Sequence, residues 1–190
     1  MAGLPHVIDI RDDLERAREA SDEDVSEELA AVEERVEAYS DRSRDREGLL
    51  DDIDNELLRL EERADGIAEE RLRAARNRIH LLRDSLSTAA DGVTVLESKV
   101  RRADAGASFD EDVRDEQTEF WLTLVNSAEP RTVGVELAFY AEDGDEVGRV
   151  SGGDVSIDAD EQKTVTVVAE VPDGTDYYVA RVADADELTG

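Results

Sequence analysis

Residues 71–105 read RLRAARNRIHLLRDSLSTAADGVTVLESKVRRADA. The apolar positions Leu72, Ala75, Ile79, Leu82, Leu86, Ala89, Val93, Leu96, Val100 and Ala103 follow one another at steps of three or four residues only. Such spacing draws one apolar seam along a helix, and a sustained period of about 3.5 predicts coiled-coil-like packing. The stretch therefore reads as a single helix over 68–104. The same rule holds upstream, first in Val25, Leu29, Val32, Val36 and Tyr39, then in Leu50, Ile53, Leu57, Leu60, Ala64 and Ile67. A five-residue step from Ile67 to Leu72 breaks the phase, and Asp65-Gly66 at that break reads as a turn. The polar run Ser40–Asp45 is a second interruption. Ser21 and Asp22 before Glu23 and Asp24 read as a helix N-cap with acids in the first turn. Helices are predicted near 7–20, 23–40, 46–65 and 68–104, packed as a bundle or a long coiled-coil hairpin.

From Glu119 the period changes to two. Phe120, Leu122 and Leu124 alternate with Trp121, Thr123 and Val125, and Val133, Val135, Leu137 and Phe139 with Thr132, Gly134, Glu136 and Ala138. Val165, Val167 and Ala169 form a third set, and Tyr177–Val182 is a further β-rich run. Turn signals separate them at Asn126–Pro130, Glu142–Asp145, Gly152-Gly153-Asp154, Asp158–Gln162 and Pro172-Asp173-Gly174. Six or seven short strands so spaced predict an antiparallel sandwich. The fold class is thus α+β, with a helical domain over 1–105, a β-domain over 116–190, and a linker near Ala105-Gly106-Ala107-Ser108.

Charge describes the solvent. Against 51 Asp and Glu stand 22 basic residues, of which only Lys99 and Lys163 are lysine, and the net charge is -29. Such a chain repels itself in dilute salt. In molar salt the screening length falls to about 3 Å and the repulsion is damped. The pattern resembles the cytoplasmic proteins of salt-accumulating haloarchaea. With no cysteine, disulfides, thiolate nucleophiles and zinc-thiolate sites are excluded. No apolar run approaches the roughly 20 residues of a membrane span. The opening MAGLPHVIDIRDDLE meets acid within ten residues and carries no signal-type apolar region, so a cytoplasmic protein without a membrane partner is expected.

Candidate binding residues are few. Arg71, Arg73, Arg76, Arg78 and Arg83 occur in a stretch, 71–83, that holds no acid. One reading is a site for nucleic acid or another polyanion. The other follows from helical geometry at about 100° per residue. Arg71 and Arg78 flank the seam on one side and Arg76 and Arg83 on the other, where they face acids of a neighbouring helix. Arg73 falls on the back. Glu28 and Glu33 flank the Val25–Val36 seam in the same manner. A charge of -29 also opposes nucleic acid at long range, so interhelix pairing is the stronger reading. Trp121 and Phe120 point to opposite faces of their strand. An exposed Trp121 would be a binding anchor, and the plainer reading puts it in the core. His6 and His80 read as non-ligating. Asp143-Gly144-Asp145-Glu146 lacks calcium-loop spacing and reads as a hairpin turn. No phosphate loop, serine elbow or zinc motif is present, and no cofactor is expected.

FWLTLVNSAEPRTVGVELAFYAEDGDEVGRV (120–150) and IDADEQKTVTVVAEVP (157–172) resemble small Ig-like domains of the FxLYD and CARDB-like types. The resemblance covers 118–183, and its motifs are turn and core residues: Asn126 ending a strand, Phe139-Tyr140 before an Asp-Gly turn, and the Thr-Val alternation. It implies an Ig-like sandwich with a binding role and no catalytic residues. DDLERAREASDEDVSEELAAVEERV (12–36) and LLRLEERADGIAEERLRAARNRI (57–79) resemble small helical haloarchaeal proteins of unknown function. Together these readings predict a non-enzymatic scaffold or adaptor with a helical oligomerisation or partner-binding region and a protein-binding Ig-like module. The alternatives are a nucleic-acid-associated or regulatory protein using Arg71–Arg83, and an enzyme whose site forms only at an interface.

Overall fold

The computed structural model describes residues 4, 6–21, 25–41, 46–87, 90, 92–102 and 117–184. The chain is α+β. Among the described residues four helices, α1 (Arg11–Ala20), α2 (Ser26–Asp41), α3 (Arg46–Glu61) and α4 (Gly66–Ser87), precede six strands. These are β1 (Val93–Arg102), β2 (Gln117–Asn126), β3 (Arg131–Tyr140), β4 (Glu146–Ile157), β5 (Gln162–Glu170) and β6 (Tyr177–Asp184). The chain divides into two compact units, Val7–Arg83 and Met1–His6 with Asp84–Gly190. The linker expected at 105–108 lies outside the described residues, as do Asp22 and the centre of the Ser40–Asp45 break.

The helical unit buries its seams as the 3-4 spacing requires. Leu29, Val32, Ile53, Leu57, Ala75 and Ile79 are fully buried. Acids occupy the first turns of α1 (Asp12, Asp13) and α2 (Glu27, Glu28), at the positive end of the helix dipole. Two expectations are corrected here. Ile67 is not a seam residue: it opens α4 and is 63% exposed, because the phase break falls before it rather than after it. The first helix begins at Arg11 rather than 7, since Val7 and Asp9 give their carbonyls to the Arg78 side chain.

The helix expected to run to 104 stops at Ser87, and Val93–Arg102 is a strand. Gly92 has φ +79°, and a Cβ there would meet the Ala128 Cβ at 2.5 Å. A helix cannot continue through that left-handed backbone. Beyond it, β-branched Val93, Thr94 and Val95 favour a strand. A register shift between Val95 and Glu97 leaves Leu96 as an extra residue, and a strand with one such bulge reproduces by chance the 3-4 spacing of a helix.

The strands form two antiparallel sheets, ordered β1-β2-β5 and β4-β3-β6. They share one core, in which Phe120, Leu122 and Leu124 of β2 meet Val133, Val135, Leu137 and Phe139 of β3. Phe120 packs edge-on against Phe139 at 5.7 Å and Tyr178 at 4.9 Å. Leu4 packs against this core, and His6 bridges to Tyr178 with its ring edge-on at 5.2 Å. The Gly152-Gly153 pair, read as a turn, lies inside β4. Val135 faces Gly153 and Glu136 faces Ser151, so Gly152 is the extra residue of a bulge. A Cβ on it would meet Val167 Cγ2 at 2.5 Å, which is why the bulge needs glycine. The acidic loop Asp143–Glu146 is the β3–β4 hairpin, closed by Gly144 N–H to Ala141 O (3.0 Å) and Ala141 N–H to Asp145 O (2.9 Å).

Candidate functional site

The α4 arginines are engaged with carboxylates inside their own unit. Arg76 donates through Nε to Asp54 Oδ1 (2.9 Å) and reaches Glu61 (3.4 Å), both on α3. Arg83 contacts Asp51 at 2.8 Å and Asp54 at 3.8 Å. Arg71 lies 3.9 Å from Asp13 of α1. Arg73, expected to stand apart on the back of α4, pairs with Glu61 at 3.0 Å and with Glu69. Glu28 and Glu33 of α2 likewise receive Arg63 (3.2 Å) and Arg18 (2.8 Å).

Arg78 is buried, 7% exposed. It donates to Val7 O (3.1 Å), Asp9 O (2.7 Å) and Asp13 Oδ2 (2.9 Å). Burial pushes the Asp13 carboxyl above its ordinary value even though Arg78 and Arg71 pull it down. Asp54 shows the opposite balance. Burial raises it, but hydrogen bonds from Arg76 and His80 outweigh that and leave it below the ordinary carboxylate value. His80, read as non-ligating, is 2.8 Å from Asp54 Oδ1 through Nε2. One open hollow of this unit, of about 630 Å³, is acidic, lined by Glu27, Glu28, Ala31, Arg35 and Glu56.

In the β unit a second polar network joins β3, β4 and β6. Buried Glu136 lies 3.1 Å from Arg149 and 3.9 Å from Arg181. Arg149 also grips Glu146 at 2.9 and 2.7 Å, and Arg181 donates to the Tyr140 hydroxyl at 2.5 Å. Burial pushes Tyr140 up, and the Arg149 hydrogen bond holds Glu146 below its ordinary value. Two arginines and two glutamates neutralise one another, so the network holds strands together. Tyr178, hydrogen-bonded to Ser98 at 2.6 Å, is pushed up to about 12, mainly by burial.

The outer face of β1-β2-β5 is different. Phe120 is fully buried and Trp121 is 38% exposed, so the core position expected for Trp121 is not the one it takes. Trp121 faces Thr166 across the ladder and Lys99 on the other side. Its diagonal neighbour, Val168, is 50% exposed. Among the described residues the exposed large apolar side chains are Ile67, Trp121, Val147 and Val168, so half of them share this face. The alternation of Val165, Val167 and Ala169 with Thr164, Thr166, Val168 and Glu170 already sets Val168 among the outward residues, and the burial along β5 follows it. None of the five arginines belongs to this face.

Among the described residues no helix is long and apolar enough to cross a membrane, and no cluster of potential metal ligands occurs. No curated protein matches the chain. Among solved structures, the C-terminal domain of wzt is similar at 14% identity and a TM-score of 0.37, over 44% of this chain and 53% of that one. The Pseudomonas fluorescens alkylpurine DNA glycosylase AlkC, bound to DNA containing an abasic site analog, is similar at 15% identity and a TM-score of 0.34. That match covers 85% of this chain and 54% of that one. The chain therefore spans about half the length of these structures. Residues 5–85, the helical part, match the model of a family of unknown function (DUF7553).

Proposed function

We propose that this chain is a non-enzymatic scaffold or adaptor from a salt-accumulating cell, in which an Ig-like β-sandwich binds a protein partner through the outer face of β1-β2-β5. The observation that carries the reading is the pair Trp121 and Val168, exposed side by side at 38% and 50% on neighbouring strands. Tryptophan is enriched among the few residues that carry most of the energy at protein interfaces, and contiguous exposed apolar side chains mark interaction surfaces. The helical unit, a bundle in this reading, serves as rigid support stitched by arginine–carboxylate pairs. Binding of phosphate by Arg71–Arg83 would first require these pairs to break, and the chain's charge opposes it.

The test is affinity capture in molar KCl from an extract of the source cells, with the parent chain, Trp121→Ser and Val168→Ser as bait. Proteins retained by the parent and lost from both variants are expected. Retention of one and the same set by all three would overturn the reading. Retention of nucleic acid, lost on Arg76→Ala and Arg83→Ala, would favour the arginine alternative.

A further inference from the structure

The edge of a sheet is a row of backbone N–H and C=O groups without partners, and folded proteins blunt such rows with bulges, charges or a covering segment. Among the described residues three of the four edges are blunted. On the free side of β6, Ala90 N–H donates to Val182 O at 3.1 Å and His6 bridges to Tyr178. β4 is bulged at both places where its register against β3 shifts. β1 has its bulge at Leu96 and charges at Glu97 and Lys99. β5 is the exception. It runs against β2 from Gln162 opposite Val125 to Glu170 opposite Gln117 with no shift of register. Its centre, Thr164-Val165-Thr166-Val167-Val168-Ala169, is uncharged and mostly β-branched, in a chain that is 38% charged. Lys163, the charge beside this centre, is turned onto Ser156 O of β4 at 2.6 Å. Among the described residues no backbone hydrogen bond joins Gln162–Glu170 to any strand but β2. In an antiparallel edge strand the backbone groups point by turns into the sheet and away from it, so β5 keeps half of its own for another chain.

We infer that β5 takes an extended segment of a partner protein as the fourth strand of the β1-β2-β5 sheet, a segment with an uncharged centre and a basic residue at each end. Backbone hydrogen bonds along the edge supply the attraction, and alternate side chains of the added strand supply the choice of partner. Charge sets the ends. Exposed Asp158 and Asp160 stand before β5, and exposed Glu170 and Asp173 stand at its close. Acids therefore frame the six uncharged residues, and a strand with basic ends meets them in either direction. A second copy of the chain fits this edge badly. Pairing β5 with itself about Thr166 brings the acids before one strand beside those closing the other, at both ends of the pair. Like charges facing one another across strands are destabilising. The inference goes beyond the face reading and does not need Trp121, which lies one strand in from the edge, opposite Thr166.

Amide hydrogen exchange of the full chain decides this, at the lowest KCl concentration where circular dichroism shows the fold intact. The probe is an end-capped peptide as long as β5, with threonine and valine in alternation between two terminal arginines. Added peptide slows exchange over residues 164–169 and leaves β1, β4 and β6 as they were. Glutamates in place of the two arginines weaken the effect about tenfold, and the difference shrinks toward 3 M KCl. Methyl groups on two adjacent central backbone nitrogens, which close both edges of the peptide, abolish it. Asp160→Asn combined with Asp173→Asn weakens the arginine peptide about threefold. Asparagine tolerates the left-handed backbone at position 160, where φ is 56°. If that variant melts early, the two peptides on the parent chain carry the comparison. Unchanged exchange over 164–169 overturns the inference. So does equal protection by the methylated peptide, or arginine and glutamate peptides acting alike at low salt. Protection of β5 that rises with protein concentration in the absence of peptide gives the edge to a second copy and also overturns it. The capture experiment separates the two readings. Captured proteins lost with Trp121→Ser, from a chain whose β5 takes no peptide, keep the face and end the edge inference. Peptide protection in a chain whose captured set ignores Trp121 and Val168 does the reverse.

Discussion

Arg78 serves three acceptors from the segment leading into α1 and from α1 itself through three different nitrogens, Nε, Nη1 and Nη2, a planar spread that a compact lysine ammonium does not have. Arg78→Met keeps the bulk but strands the Asp13 carboxylate in the interior. The expected loss is about 3–5 kcal/mol in chemical denaturation. Adding Asp13→Leu removes the stranded charge, and part of the loss should return. No recovery would mean that the two backbone carbonyls dominate. Asp54 sets a pH dependence. Its carboxyl is lower in the fold than in the unfolded chain, so its contribution is complete above its ordinary value of 3.8 and disappears as pH falls through the folded value. Asp13, raised by burial, works in the opposite direction. Acid melts of Asp54→Asn should therefore lose less stability below pH 4 than the parent. An equal loss would place the acid sensitivity elsewhere. Asn126 was legible only as a strand end, yet it is fully buried. Its amide donates to Glu129 O and Asp158 O and accepts from Ala128 N–H, each at 3.0 Å. A sequence shows that an asparagine ends a strand, and says nothing of the carbonyls folded around it.

Where one apolar period ran unbroken with nothing else to explain it, as over Leu50–Leu60 and Leu72–Leu82, the elements matched the reading. The reading failed where two periods coincide. Val93, Leu96 and Val100 fit a helix by spacing, and only Gly92 and the run of β-branched residues indicated the strand. Gly152-Gly153 failed for a related reason, since two glycines mark a turn and a bulge equally well and the neighbour that decides between them, Val167, is distant in sequence. The candidate site divided in the same way. Arginine pairing with acids of other helices followed from flanking positions on the seam, whereas the exposure of Trp121 depended on which of two adjacent rings the core would accept. The seam itself can be tested by contrast. Ile79→Ala, at a fully buried position, should cost about 2–5 kcal/mol in a thermal or denaturant melt. Ile67→Ala should stay within about 0.5 kcal/mol of the parent. Similar costs at both would mean that the phase break is misplaced.

At the scale of the molecule, the charge of -29 predicts stability that rises with salt. Circular dichroism melts between 0.1 and 3 M KCl should move upward, and a flat or falling midpoint would contradict the expectation. The place of β1 alters how the chain can be cut. A fragment of residues 116–190 lacks an edge of the first sheet and the buried Val93, so it should remain unfolded where residues 84–190 give a cooperative melt. A cooperative 116–190 fragment would show that β1 is dispensable. The bridge from His6 to Tyr178 has a consequence for the chain as it is made. His6 leaves the ribosome well before Tyr178, and the whole of Val7–Arg83 is made between them. At about 5–20 residues per second that interval is on the order of ten seconds or more. Val7–Arg83 is complete long before that interval ends, so during translation the helices can close while His6 still awaits its strand.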